Sequence, residues 1–233
     1  MASQAAQYEV IEGQISYLQV KPENVHFLKR IKQDQELASV VAIGQAITGQ
    51  AGAVSSAQAA VDEGDPVESF VMSIGGLLAK GSFWKATFKN GDSVKIVGRK
   101  LGENFHVTAV VDTASRIIWM QPHCERGIKA KSKHLFKCCG WFVLFCYFAA
   151  LLLTALTNMP FWLNIVIMTV AAPVILLVTV GMSWGDFMSF SREMNAVASA
   201  LNWPSPTETD LLKTTRQARK TGKPELPMGV YYF

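Results

Sequence analysis

Two groups of side chains in this 233-residue chain have the types and spacing that chemistry requires. Gly181-Met182-Ser183-Trp184-Gly185 fits G-x-S-x-G, the strained strand-to-helix turn that exposes a nucleophilic serine. That turn needs a strand before it, and an acid and a histidine after it. Here a long apolar run precedes it, and His26, His106, His123 and His134 all come before Ser183, so the order fails. A membrane-anchored serine hydrolase is the residual reading. The second group is His123-Cys124, with His134, Cys138 and Cys139. Imidazole and thiolate suit zinc, and the His134–Cys138 spacing puts both on one helix face. Basic residues among them oppose a cation, and no C-x-x-C pair is present. There is no phosphate-cradling glycine motif and no convincing carboxylate pair. The sequence therefore points away from an enzyme and offers neither a cofactor nor a metal site.

The elements around these residues are more informative. Charged side chains are absent from Cys138 to Gly185, 48 residues, while the rest of the chain has an ordinary globular charge density. The run predicts two helical spans, Trp141 to Thr157 and Phe161 to Met182, since crossing a bilayer takes about 20 apolar residues. Asn158-Met159-Pro160 makes the turn between them. Trp141, Trp162 and Trp184 mark interface positions. The competing reading, a buried helical hairpin in a soluble core, predicts a polar face that this run lacks. Arg126, Lys129, Lys131, Lys133 and Lys137 precede the first span without an acid among them, and are assigned to lipid head groups. The positive-inside rule then puts both ends on the cytoplasmic side and only the turn outside, for insertion from the cytosol.

Polar groups within the run are neutral. Thr154, Thr157, Asn158 and Asn164 gather near the turn, Thr169 and Thr179 lie deeper, and Pro173 interrupts the second helix. They are candidates for a pore lining, although bonding to nearby backbone is the first expectation. One hairpin cannot enclose a water path, so conduction requires several copies around an axis.

Before the run, residues 1–125 read as a β-rich domain. Glu9 to Leu18 opens it. Trp84, Ala86 and Phe88 alternate with Lys85, Thr87 and Lys89, then Asn90-Gly91 supplies a hairpin turn before Val94 and Ile96. Phe105 to Val111 and Arg116 to Met120 pair around Asp112-Thr-Ala-Ser115. A small barrel or sandwich follows, with an oligonucleotide-binding-type barrel as one form. Residues 37–61 are Ala- and Gly-rich and uncharged, and read as a packed helix or loop, with a third insertion element as the alternative. Residues 126–185 hold the basic segment and hairpin. In 186–233, Phe187, Phe190, Met194, Val197, Ala198 and Leu201 form an amphipathic stripe that suits either the membrane surface or the N-terminal domain. A basic, solvated tail follows, with Lys213, Arg216, Arg219, Lys220 and Lys223. The fold class is thus α+β. The polar start, Met1 to Val10, is unlike a secretory signal peptide, the cysteine spacing suggests no disulfides, and a basic cluster flush against an apolar run argues against nucleic acid.

Several stretches resemble a bacterial family. They are Glu12-Gly13-Gln14-Ile15, Lys21-Pro22-Glu23 with Phe27, Gly49-Gln50-Ala51-Gly52-Ala53-Val54-Ser55, and Gly81-Ser82-Phe83-Trp84-Lys85. Gly91-Asp92-Ser93-Val94-Lys95-Ile96-Val97-Gly98, Pro122-His123-Cys124-Glu125-Arg126-Gly127 and Leu201-Asn202-Trp203-Pro204 join them. The family is the small effectors of type VI secretion systems, of the ion-conducting, pore-forming kind. The resemblance implies a protein made in the cytoplasm, exported without a signal peptide, and inserted as a homo-oligomer in a target cell's inner membrane. It further implies a cognate immunity protein and a tube-ring carrier that shields the apolar run. The alternative is a resident inner-membrane protein, including such an immunity protein, whose cytosolic domain binds a partner.

Overall fold

The computed structural model describes residues 8–27, 64–101, 104–154 and 161–233. Residues 37–61 and the turn at 158–160 lie outside them. The fold is α+β, and the chain divides into two compact units, Met1–Gly127 with Ser189–Phe233, and Ile128–Met188.

The first unit is built on a five-stranded barrel. Strand β1 (Glu9–Val25) serves two partners, because its first half pairs antiparallel with β4 (Ser93–Leu101) and its second half with β2 (Asp65–Ile74). A bulge between Ile15 and Tyr17 bends it from one to the other. Gly75-Gly76 turns β2 into β3 (Leu77–Phe83), both glycines having positive φ. Strand β5 (Asn104–Asp112) runs antiparallel to β4 and meets β3 in parallel at Ala79–Phe105 and Lys80–His106, which closes the barrel. Gly98 sits at a second bulge, where any Cβ would collide with the carbonyl of His106. Beyond the barrel, β6 (Ile117–Met120) and β7 (Val230–Tyr232) extend the sheet from β5.

Strand β5 explains the layering. Its central residues are buried on both faces, the pattern of a strand covered on two sides. Phe105, Val107 and Val110 join Ile15, Phe70, Phe83, Phe88 and Ile96 inside the barrel, where Phe70 meets Phe83 at 4.9 Å and Phe88 meets Trp119 edge-on at 5.6 Å. Each such ring contributes about 1.5–3 kcal/mol by burial. Ala109 and Val111 face the other way with Val97, Ile118 and Met120, under Phe190, Met194, Val197 and Ala198. The stripe from Phe190 to Leu201 therefore packs on the sheet, whereas Phe187 is exposed and belongs to the second unit.

Two readings of local sequence are corrected. Trp84 to Phe88 is not a strand. Its alternation is one of burial only, and the Ala86 N–H donates to the Glu68 carboxylate at 2.8 Å instead of to a ladder. The basic stretch after Pro206 is no solvated tail. It forms a helix, Leu211–Lys220, capped by Asp210, which accepts from the Lys213 N–H at 3.0 Å, and the chain then returns as β7.

The second unit consists of two long helices. Helix α1 spans Ile128–Thr154 and α2 spans Phe161–Ala200, whose last turns belong to the first unit; Leu211–Lys220 is α3. At about 1.5 Å per residue both exceed the roughly 30 Å of a bilayer's hydrocarbon core.

Candidate membrane-contact surface

Both helices are long and apolar enough to cross a membrane. A core helix of equal composition would be mostly buried. Here only 11% of the most apolar stretch of α1 and 6% of that of α2 is buried. Phe145, Leu152, Leu177 and Met182 are 72%, 72%, 69% and 80% exposed, and Phe148, Val170 and Val174 are exposed beside them. So large a continuous apolar surface is foreign to water-soluble monomers. Trp141, Trp162 and Trp184 are all exposed, and Trp184 lies edge-on to Phe136 at 6.2 Å.

The helices touch through small and polar groups. Val143, Cys146, Tyr147 and Ala150 of α1 face Ala171, Ala172 and Ile175 of α2 across a crevice of about 160 Å³. The Tyr147 hydroxyl lies 3.4 Å from the Thr169 hydroxyl, and Leu135 packs with Val180 and Met188. These pairs run in opposite order along the two helices, so α1 and α2 lie antiparallel.

The expected polar residues separate into groups. Thr179 donates to the carbonyls of Ile175 and Leu176 at 2.9 and 3.0 Å, the backbone bonding anticipated for it. Pro173 lies inside α2 and lacks the N–H that would reach the Thr169 carbonyl. Thr157 and Asn158, and the side chains of Thr154 and Asn164, lie outside the described residues. Of the basic set, Lys129, Lys133 and Lys137 are exposed at i, i+4 spacing on α1, forming one stripe. Lys131 is buried, its ammonium 5.3 Å from the centre of the Phe187 ring. Arg126 makes an ionic contact with Asp210 at 3.3 Å.

The two chemical motifs also have definite places. Ser183 sits within α2, with helix rather than strand before it. His134 Nε2 is 3.5 Å from Cys138 Sγ on α1, whereas His123 pairs with Asp65 at 3.1 Å and Cys124 is buried. No group of three or more metal-ligating side chains occurs among the described residues.

Sequence reasoning missed a buried polar cluster. Glu193, 4% exposed, accepts from Arg99 Nη2 at 3.0 Å and from the Tyr8 hydroxyl, while Arg99 also lies over the Tyr8 ring. Burial, and then the negative charge of Glu193, push the Tyr8 phenol well above its ordinary range. Residues 8, 99 and 193 are far apart in sequence, and only closure of the barrel against the end of α2 joins them. Compared with protein-family models, curated proteins and solved structures, the chain matches none.

Proposed function

We propose that the protein is an antibacterial effector of the type VI secretion kind, which inserts α1 and α2 as a transmembrane hairpin in a target cell's inner membrane. Several copies assemble there around an ion path and depolarise the cell. The observation that carries this reading is that the most apolar stretches of the two helices are only 11% and 6% buried. Trp141, Trp162 and Trp184 suit the interfaces, and Lys129, Lys133 and Lys137 suit anionic head groups. In this reading Thr169 with Tyr147, and the carbonyl freed by Pro173, supply polar groups for the ion path. A carrier ring shields the apolar faces before delivery, and an immunity protein protects the producer.

The alternative is a resident inner-membrane protein whose soluble unit binds a partner. It is favoured by the continuity of α2 from its apolar stretch into the core of the barrel unit, an arrangement suited to a permanent anchor. Directed expression separates the two. A pore-forming effector aimed at the periplasm stops growth and collapses membrane potential; a resident protein leaves both unchanged.

A further inference from the structure

A concave surface with its own chemistry lies in the barrel unit. After α3 the chain turns at Gly222, runs extended, and returns as β7 beside the helix it has just left. One wall of the resulting groove is Leu212, Thr215, Arg216 and Arg219, a single face of α3; the other is Leu226 to Tyr231. It encloses about 270 Å³. The sheet edge beneath is already satisfied, because the Tyr232 N–H donates to Thr215 Oγ1 at 2.9 Å and its carbonyl accepts from Thr214 Oγ1 at 2.6 Å. An added strand therefore finds no ladder here, and any ligand must bind through side chains.

Those side chains are apolar below and cationic above. Met228, 67% exposed and adaptable in shape, offers the apolar surface, beside Leu226, which is half-buried against the barrel core. Arg216 has no ion pair among the described residues. Arg219 already holds one carboxylate, that of Glu225, at 2.8 Å. Both members of that pair are largely exposed, so the bond is weak and exchangeable. Lys223 lies elsewhere, its ammonium 4.6 Å from the centre of the Tyr232 ring, so Arg216 and Arg219 are the cations that line the groove. The chain's own Glu225 thus displays the ligand chemistry the groove selects.

We propose that this groove docks an acidic segment of a partner protein, with an apolar side chain seated on Leu226 and Met228 and a carboxylate on Arg216. A second carboxylate displaces Glu225 from Arg219. A protein segment fits better than an anionic bilayer because the site is concave, and the outward residues of α3, Lys213, Arg216, Gln217 and Lys220, offer no apolar side chain for insertion. The inference does not rest on the pore-forming reading.

The test uses the full chain in neutral detergent and fluorescent peptides in which aspartates flank a leucine or phenylalanine at varied spacing, with lysine-for-aspartate peptides as controls. The best acidic peptide should bind saturably, and Arg216→Glu should weaken it by about tenfold or more. Glu225→Gln should strengthen it several-fold by removing the internal competitor, an effect opposite in sign that misfolding cannot mimic. No saturable binding by any acidic peptide, or equal binding by the lysine controls, overturns the proposal. So does an Arg216→Glu effect confined to phosphatidylglycerol over phosphatidylcholine vesicles, which would assign the cations to lipid.

Discussion

A buried charged pair bears on the stability of the barrel unit beside its apolar core. Glu193 is buried and Arg99 is largely shielded, so removing either takes away the other's ion-pair partner, a loss of up to about 3–5 kcal/mol. We expect Glu193→Gln and Arg99→Met each to lower the denaturant midpoint of the barrel unit strongly. The Arg99→Met, Glu193→Leu double replacement should cost much less than the sum. Equal and additive losses would show that the pair is not coupled. Tyr8 extends the effect to pH. Its phenol titrates higher in the folded chain than the ordinary value near 10, as does that of Tyr231, which burial raises. Both favour the folded state fully below about pH 10, and that contribution is lost as pH rises toward the folded values. Alkaline titration of unfolding should therefore show a fall above about pH 10 that Tyr8→Phe reduces. A profile unaltered by that substitution would contradict the assignment. None of this cluster was legible in the sequence, since nothing local marks Arg99 or Glu193 as partners.

At the scale of elements, legibility followed locality. The β5–β6 hairpin could be read because Asp112 organises its own turn, accepting from the N–H groups of Ala114 and Ser115. The second half of β1 could not, for Tyr17 to Asn24 is mostly exposed and contains Lys21-Pro22-Glu23, which imitates a loop. Trp84 to Phe88 misled in the opposite sense, because burial alternates there without pairing. Helix α3 did carry signals, an Asp210 cap, a cationic last turn and Gly222 beyond it, but its charge suggested solvent. The two apolar helices were the clearest elements of all. Their exposed faces carry a prediction of their own. Val170→Arg places a charge near the middle of the second apolar span and should cost about 2.5–3.5 kcal/mol of insertion. Flotation with liposomes should fall accordingly, whereas unchanged flotation would mean that this face does not meet lipid.

The molecule as a whole joins an ordinary packed barrel to a pair of helices that water alone does not accommodate. The uncharged run from Cys138 to Gly185 lies within the second unit, Ile128–Met188. It could not show that α2 continues unbroken through Asp186 to Ala200, its last turns packed on the outer face of the sheet, because the boundary in composition is no boundary in the helix. The same sequence also left open whether the apolar run was buried in protein, and the low burial of both helices favours lipid. The central claim is that these helices conduct ions once assembled in a bilayer. Recording current across a planar bilayer after adding the purified full chain tests it most directly. Discrete, uniform conductance steps are the expected result. A silent bilayer in which the protein is demonstrably inserted would contradict the claim.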